Sequence, residues 1–345
     1  MSNERRVVLR NVLSLFNGIS GLHLALDKAN IKVDNVYYAE IDKFANKVTE
    51  HHYPNDVALG DVTKWKDWNI DWSTVDLVSA GFPCQAWSMA GKQLGDKDER
   101  GMLFWTTLNI IKTVLEHNPK AKFLMENVKM KKEFEEYITH HTEQALGYVE
   151  KTLINSSLVS AQNRNRYYWT NFRVTQPEDI GLKLGDILEV ETDEVFKVNE
   201  SALSRYTDEN GKVKGLKTVE DKSGCLTASM HKGFGNDGCT VVKCGALRGR
   251  YIVDGKRQDS KMKTAGLTTQ RLDVREDFKT NYLTTVQKDN VVYDEIYYRK
   301  LTPLECERLQ TVPDNWTSML SNTQRYKSLG NGWTIDVIAH ILKCI

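Results

Sequence analysis

The sequence lacks an excess of charge of either sign, because 47 Lys and Arg stand against 46 Asp and Glu among 345 residues. Such a chain does not bind phosphate indiscriminately, so any affinity for nucleic acid must be local. A long apolar run is also missing: residues 7–16 are interrupted by Arg10 and Asn11, are too few to span a membrane, and have no signal-peptide cleavage pattern. These absences predict a cytoplasmic protein with no membrane association.

Cysteine is scarce as well. Six cysteines at uneven spacings do not make a disulfide framework in a chain of this length, so we expect reduced thiols. Cys225, Cys239 and Cys244 lie near His231, but their spacing lacks the paired C-x2-C geometry of structural zinc sites, and we predict no metal. With 40% hydrophobic and 27% charged residues, the composition is that of an ordinary globular protein with one large core or two domains.

The first half of the chain alternates short aliphatic runs with helical patterns, which is typical of βαβ units and a parallel sheet. The predicted strands are 7–16, 36–40, 57–61, 75–81, 122–126, 149–155 and 167–171. The predicted helices are 22–29, 43–53, 104–116, 131–146, 303–309 and 334–342. This pattern predicts an α/β, Rossmann-like domain, in which ligands bind beyond the carboxyl ends of the strands.

The charge pattern changes after residue 174. Residues 174–221 hold 6 basic against 12 acidic residues, a net of −6, whereas 222–290 hold 13 against 7, a net of +6. The basic segment is rich in Gly, Thr and short β patterns. We therefore predict a smaller, mostly β or irregular domain at 174–296, inserted between two parts of the first domain, 1–173 and 297–345. A solvated β insertion with no partner explains the basic segment equally well.

The end of the first strand favours a nucleotide-like ligand. Gly18 and Gly21 form a G-x-x-G turn between strand and helix, one glycine short of the G-x-G-x-x-G fingerprint that holds a pyrophosphate. Glu40 follows Gly18 by 22 residues, near the separation at which an acidic residue meets ribose hydroxyls, and Asp61 ends the third strand. The order and spacing suit an adenosine without phosphates, such as S-adenosylmethionine, with its sulfonium against the aromatic face of Phe16 or Trp333.

A thiol and a carboxylate follow two neighbouring predicted strands, at Cys84 and Glu126. Taken singly, a cysteine is more often a buried hydrophobe and a carboxylate at a strand end more often a cap. Together with a methyl donor they suit one reaction: a thiolate that adds to carbon 6 of cytosine makes carbon 5 nucleophilic. Arg164 and Arg166 alternate along an extended segment and supply the positive charge that a reactive thiolate needs.

In this order, the runs resemble the C5-cytosine DNA methyltransferases over residues 9–172 and 297–342. The matching motifs are Phe16-Asn17-Gly18, Glu40, Asp61, Pro83-Cys84-Gln85, Glu126-Asn127-Val128, Gln162 with Arg164 and Arg166, the run 299–310, and the run 330–333. Three runs, 16–21, 166–169 and 331–333, look closer to the eukaryotic de novo branch. The absence of an N-terminal chromatin-reading domain favours a bacterial or phage enzyme.

The resemblance implies a set of site residues. Cys84 is expected to be the nucleophile, Glu126 to contact ring N3, and Arg164 and Arg166 to hold the flipped base or a nearby phosphate. The residues expected to bind S-adenosylmethionine are Phe16, Asn17, Gly18, Ile19, Ser20, Gly21, Glu40, Ile41, Asp61, Val62, Pro83, Leu103, Asn331, Gly332 and Trp333. Those expected to contact DNA are Gln85, Ser88, Gln162, Lys243, Arg248, Arg250 and Arg271; which of the basic residues read bases and which hold phosphates stays open.

The partner that the resemblance implies is double-stranded DNA, read by the target-recognition domain at 174–296. We expect a monomer, with a restriction endonuclease of the host cell as a further partner. Three alternatives stay open: a tRNA cytosine-5 methyltransferase, a non-catalytic DNA-binding relative, and a nicotinamide-dependent dehydrogenase. The long basic insertion favours a duplex reader, the Cys84 and Glu126 pair favours catalysis, and the incomplete glycine fingerprint disfavours a dehydrogenase.

Overall fold

The computed structural model describes residues 7–83, 102–189 and 298–345, together with short stretches of 190–297, of which 220–228 is the longest. A seven-stranded sheet forms its centre, in the order β3-β2-β1-β4-β5-β7-β6. Its strands are β1 (Val8–Leu15), β2 (Lys32–Ala39), β3 (Val57–Gly60), β4 (Val75–Ala80), β5 (Lys122–Val128), β6 (Glu150–Asn155) and β7 (Asn165–Thr170). The predicted α/β class is confirmed.

Helices follow most of these strands, as the apolar periodicity predicts. They are α1 (Gly21–Lys28), α2 (Lys43–His52), α3 (Met102–His117), α4 (Lys132–Leu146), α5 (Pro303–Leu309), α6 (Asn322–Asn331) and α7 (Ile335–Leu342). Helix α5 begins with the predicted proline, and Thr302 and Glu305 form a reciprocal capping box at its start. Helix α6 was not predicted, because its sequence is mostly polar and gives no clear 3.6-residue apolar period. None of the described helices is long and apolar enough to cross a membrane.

Strands β1 to β5 are parallel, but β7 runs antiparallel to both β5 and β6. A parallel connection needs a crossover of about a dozen or more residues, and only 156–164 separate β6 from β7. The sheet was predicted to be parallel, and for β7 that prediction is wrong. The consequence of the reversal is that the first residues of β7 lie beside the last residues of β5, with Arg166 in register with Val128.

Side chains along each strand alternate between two faces of the sheet, and each face has its own core. Val12 and Leu124 belong to a cluster completed by α1, α5, α6 and α7, whereas Leu13 and Phe123 belong to a cluster completed by α3 and α4. The C-terminal helices therefore pack beside the first helix on one face. This packing brings residues from both ends of the chain to the carboxyl edge of the parallel strands.

Short strands are also described between residues 216 and 300. They are β8 (Leu216–Lys217), β9 (Val241–Lys243), β10 (Leu247–Arg250), β11 (Ile252–Val253), β12 (Lys256–Arg257), β13 (Thr269–Leu272) and β14 (Tyr298–Lys300). Strand β9 pairs with β8 and β14, β10 pairs with β13, and β11 pairs with β12.

Candidate active site

A cleft of about 460 Å³ opens at the carboxyl ends of β1, β2, β4 and β5, within the usual size range of small-molecule sites. Most of the predicted residues of the cofactor and catalytic sites line it. They are Phe16, Gly18, Ile19, Glu40, Ile41, Asp61, Val62, Pro83, Leu103, Glu126, Arg164, Arg166 and Asn331. The structure therefore brings residues from seven separate sequence motifs to one cleft.

The turn after β1 forms part of the wall of this cleft. Phe16 and Ser20 have positive φ values of 56° and 65°, which is uncommon for residues with a side chain. Two predicted cofactor residues of this turn point away from the cleft: the Asn17 amide donates to Thr49 Oγ1 at 3.0 Å, and the Ser20 hydroxyl donates to the same atom at 2.8 Å. Asn17 and Ser20 thus support the strained turn from behind.

Glu40 connects that turn to the end of β2. Its Oε2 accepts the N–H of Gly18 at 2.8 Å, and its Oε1 accepts the N–H groups of Ile41 and Asp42, each at 2.8 Å. A carboxylate offers about four acceptor positions, so these bonds leave room for a ligand hydroxyl. Ile41 follows directly and is 77% exposed at the mouth of the cleft. An exposed aliphatic side chain can pack against a flat base, and the fixed carboxylate beside it can accept hydrogen bonds from a ribose attached to that base.

Asp61 and the Asp42–Lys327 pair also line the cleft. Asp61 Oδ1 accepts the N–H of Thr63 at 2.8 Å and caps the short 3-10 helix Val62–Asp67. Lys327 Nζ lies 2.9 Å from Asp42 Oδ2. Burial raises the pKa of Asp42, but hydrogen bonds from Lys327 and from backbone N–H groups outweigh burial and hold the pKa below its ordinary value. Lys327 lies on α6, a helix whose polar sequence gave no signal for a site residue.

Glu126 is held by two side chains from distant parts of the chain. It is only 8% exposed, its Oε1 lies 3.0 Å from Arg166 Nε, and its Oε2 accepts the indole N–H of Trp333 at 3.0 Å. The neighbouring Asn127 amide donates to the carbonyl of Phe82 at 3.2 Å and joins the ends of β4 and β5. The carboxylate therefore has a fixed orientation at the edge of the cleft.

The two predicted arginines have different surroundings. Arg164 is 4% exposed and donates to three backbone carbonyls, those of Leu226 at 2.9 Å, Gly332 at 2.8 Å and Gly330 at 3.3 Å. Burial, together with the charge of Arg166, lowers the pKa of Arg164. Burial also acts to lower the pKa of Arg166, but the Glu126 carboxylate outweighs it and the pKa rises. Arg164 links segments of the chain, whereas Arg166 contacts the candidate catalytic carboxylate.

A thiol that was expected to be reduced and to hold no metal, that of Cys225, lies between these arginines. Cys225 Sγ is 3.4 Å from an Arg164 nitrogen and 3.7 Å from an Arg166 nitrogen. Burial raises the pKa of the thiol, but the two positive charges outweigh burial and lower the pKa. No spacing signal in the sequence could have joined Cys225 to residues about 60 positions earlier.

Four other predicted residues lie outside the lining of the cleft: Gly21, Gln162, Gly332 and Trp333. Gln162, expected at the DNA, is fully buried: its amide N–H groups reach the carbonyl of Leu309 and its amide oxygen accepts the N–H of Leu226. The Trp333 ring packs beside Gly21 and Gly81, and Gly332 precedes Trp333 in the chain. Gln162 and Trp333 therefore make internal contacts.

The other predicted residues either lie outside the described residues or are described by their backbone alone. Cys84, Gln85 and Ser88 lie outside the described residues, as do Cys239, Cys244 and His231. The four basic residues predicted to contact DNA are placed by backbone alone, with Lys243 on β9, Arg248 and Arg250 on β10, and Arg271 on β13, where it pairs in register with Arg248. Within the described part of the chain, no cluster of His, Cys, Asp or Glu is arranged to hold a metal ion.

Comparison with known proteins identifies the family. The family model for C-5 cytosine-specific DNA methylase matches residues 10–345. The chain is 30% identical over 362 residues to the type II methyltransferase M1.ScrFI of Lactococcus lactis subsp. cremoris, covering 97% of this chain and 77% of that protein. It is 28% identical to the type II methyltransferase M.NlaX of Neisseria lactamica, covering 96% of this chain and 94% of that protein.

The fold has solved counterparts. The Entamoeba histolytica methyltransferase EhMeth matches with a TM-score of 0.66 at 16% identity, covering 99% of this chain and 98% of that chain, which shows a shared fold. Family membership, in turn, rests on the match of the family model to nearly the whole chain. The chain therefore belongs to the C-5 cytosine-specific DNA methylase family and is a DNA cytosine-5 methyltransferase that uses S-adenosylmethionine as its methyl donor.

Proposed function

We propose that the enzyme methylates carbon 5 of a cytosine flipped out of duplex DNA, through a transient covalent bond between Cys84 and carbon 6 of the base. The observation that carries this proposal is the position of Glu126, fixed by Arg166 and Trp333 at the edge of the cleft. A base inside a duplex cannot reach a recessed carboxylate of this kind. The target cytosine must therefore leave the stack, at a cost of about a few kcal/mol.

The cleft fits S-adenosylmethionine. Glu40 is proposed to accept hydrogen bonds from the ribose hydroxyls, and Ile41 is proposed to contact the adenine ring. Asp61 caps the 3-10 helix with one carboxylate oxygen, and its other oxygen is proposed to accept a hydrogen bond from the adenine amino group. Phe16, Gly18 and Asn331 also line the cleft and are proposed to surround the methionine part. The cofactor supplies a methyl group on a positively charged sulfur, and the chain's own residues prepare the base.

The proposed chemistry begins with the thiolate of Cys84, which donates an electron pair to carbon 6 of the cytosine. Glu126 contacts ring N3 and stabilises the charge that develops in the ring, while Arg166 keeps Glu126 in place. Carbon 5 then takes the methyl group. A water molecule at the site then accepts the proton from carbon 5, the electron pair of that C–H bond forms the C5–C6 double bond, and the Cys84 thiolate leaves carbon 6 with the electron pair of the C–S bond, which restores the aromatic ring as 5-methylcytosine.

Residues 174–296 are proposed to read the DNA sequence. Support comes from the net charge of +6 over 222–290 and from the placement of predicted basic residues on paired strands β10 and β13, where Arg248 lies opposite Arg271. Lys and Arg side chains at phosphates set the position of a protein on a duplex, and contacts with base edges give specificity. The recognition sequence is expected to be short and specific.

The biological setting is proposed from the relatives. M1.ScrFI and M.NlaX are both named type II methyltransferases, which supports a restriction endonuclease of the same host as the functional partner of this chain. We propose that the methyltransferase itself acts as a monomer. Sedimentation of the purified enzyme with and without DNA tests that part: a mass near 39.5 kDa without DNA is expected.

The covalent step is tested with DNA prepared by amplification with 5-fluoro-2′-deoxycytidine triphosphate. Fluorine at carbon 5 cannot leave as a proton does, so the enzyme should remain bound to the DNA through Cys84 in the presence of S-adenosylmethionine. A denaturation-resistant complex with the wild-type enzyme, absent with Cys84→Ser, is expected. Failure to trap any complex on long DNA, or a higher methylation rate on tRNA than on duplex DNA, would contradict the proposal.

A further inference from the structure

The indole of Trp333 lies between Gly81, the residue after β4, and Glu126 of β5. Its N–H donates to Glu126 Oε2 at 3.0 Å. On the other side, a Cβ atom built on Gly81, the residue after β4, would lie 2.9 Å from the same indole nitrogen and 3.2 Å from the ring carbon Cζ2. Only glycine at position 81 therefore lets the indole reach the carboxylate without a shift of the backbone or of the ring.

The backbone that carries this ring is itself fixed. The carbonyl of Gly332 accepts from Arg164 at 2.8 Å and from the Gln310 amide at 3.2 Å, and the Thr334 hydroxyl donates to Gln310 at 2.9 Å. Because residues on both sides of Trp333 are hydrogen-bonded to the protein interior, the backbone that carries the ring is fixed, and the ring can move only by rotation about its own side-chain bonds. A rigid donor of this kind restricts where Glu126 Oε2 can lie.

The position of the ring argues against a direct role in cofactor binding. Gly330 and Asn331 line the cleft, but Trp333 does not. Its ring packs against Gly21 at the start of α1, where a Cβ would lie 3.6 Å from the ring carbon Cε3, and its polar edge faces Glu126. Trp333 thus contacts the candidate catalytic carboxylate from beside the cleft and is not among the residues that line it.

We propose that Trp333 is a positioning residue that orients the Glu126 carboxylate for methyl transfer, and that Gly81 is required for it to do so. This inference rests on the proposed function, because it assigns Glu126 a role in the reaction. Arg166 and Trp333 approach different oxygens of the carboxylate, so together they fix both its position and the rotation of its plane. Loss of one donor leaves the carboxylate in place but free to turn.

The most direct test replaces Trp333 with 3-benzothienylalanine, which keeps the bicyclic shape and puts sulfur in place of the N–H group. Methyl transfer to unmethylated plasmid DNA is measured with tritiated S-adenosylmethionine, and cofactor affinity is measured separately by calorimetry. We expect kcat to fall about 10- to 100-fold, because the variant loses a hydrogen bond to a charged carboxylate that also sets the orientation of that carboxylate. The cofactor Kd should stay within about twofold of the wild-type value.

Two further variants and one control sharpen the test. Gly81→Ala should lower kcat to a similar degree, since its methyl group displaces the indole, and its effect should add little to that of Trp333→Phe. The effect of Trp333→Phe should likewise be much smaller in a Glu126→Gln background. Trp169→Phe removes an indole N–H bond of the same kind, to Thr139 Oγ1 at 2.9 Å on the other face of the sheet, and should leave kcat near wild type.

The outcomes separate this inference from the proposed function. An inactive wild-type enzyme on DNA would contradict the proposed function itself. With an active wild type, the inference on Trp333 fails if the benzothienyl enzyme keeps the wild-type kcat, if its defect lies in cofactor Kd alone, or if the defects of Trp333→Phe and Glu126→Gln multiply as independent changes.

Discussion

Glu40 and Glu126 both end strands of the same sheet and both face the same cleft, but the chain fixes them in different ways. Glu40 accepts three backbone N–H groups, all within 22 residues along the chain. Glu126 has contacts with two side chains, from Arg166 and from Trp333, the latter 207 residues away. The carboxylate proposed to bind the cofactor is held by nearby backbone N–H groups, and the carboxylate proposed for catalysis is held by side chains from distant parts of the chain.

This difference follows from what each group must do. A ribose hydroxyl needs an acceptor at a known distance from a glycine turn, which one βαβ unit provides. A catalytic carboxylate needs a fixed orientation toward a base that arrives from outside, and fixing both of its oxygens takes donors from two directions. The comparison predicts that changes at Glu40 weaken binding, whereas changes around Glu126 slow the reaction.

The largest effect is expected for Glu126→Gln. The amide has one donor group in place of one acceptor, so it cannot satisfy both Arg166 and Trp333, and its contact with N3 is altered. We expect kcat to fall about 10²- to 10⁴-fold, the usual contribution of a positioned acid or base, with little change in cofactor Kd. Tritium transfer and calorimetry measure the two quantities; a variant that loses cofactor affinity and keeps kcat would reverse the comparison.

Glu40→Ala tests the other carboxylate. Hydrogen bonds to charged groups contribute about 1.5–3 kcal/mol each, so loss of a ribose contact should raise the cofactor Kd about 10- to 100-fold. At saturating cofactor, kcat should change much less. The exposed Glu50→Ala on α2 serves as a control for charge alone. An unchanged Kd for Glu40→Ala would show that the cofactor does not meet this residue.

Arg164→Lys should affect stability more than catalysis. A compact ammonium cannot reach the carbonyls of Leu226, Gly330 and Gly332 at once, and buried carbonyls without partners cost free energy. The free energy of unfolding should fall by about 2–4 kcal/mol, measured by urea denaturation. Arg166→Lys is the matched variant, and there we expect the larger loss in kcat. If Arg164→Lys and Arg166→Lys lost the same free energy of unfolding and the same fraction of kcat, the proposed difference between the two arginines would be contradicted.

The smallest effect concerns Cys225 and pH. Because its pKa in the folded protein lies below the ordinary value of 9.0, the folded state binds fewer protons than the unfolded state between these two values. The stability gained from the thiolate is therefore present at alkaline pH and is lost as pH falls through the folded-state pKa. Denaturation under reducing conditions should show the stability difference between wild type and Cys225→Ala increasing with pH. A constant difference would contradict the proposed charge interaction.

The sequence was most informative where function depends on local order along the chain. The first turn, Glu40 and the strand that carries Glu126 follow the βαβ pattern, and the structure places them at one cleft. The antiparallel direction of β7 was missed, because periodicity does not report strand direction, although the short connection of 156–164 was a usable signal.

Contacts between distant side chains could not be read from the sequence. Nothing in the run 330–333 distinguishes an indole that faces a sulfonium from one that faces Glu126, and Gln162 looks like a DNA contact until its burial is known. Cys225 is a similar case, since only the fold brings it to the two arginines. Such residues become visible when the packing of the C-terminal helices against α1 is known.

The most direct test of the account is the modification of DNA in cells that express the protein. Bisulfite sequencing of plasmid DNA, with mass spectrometry of the released nucleosides, reports the base, the modified atom and the sequence context together. The account predicts 5-methylcytosine in one short sequence context with the wild-type enzyme and its loss with Glu126→Gln. Absence of 5-methylcytosine with the wild type, or an equal level with Glu126→Gln, would contradict it.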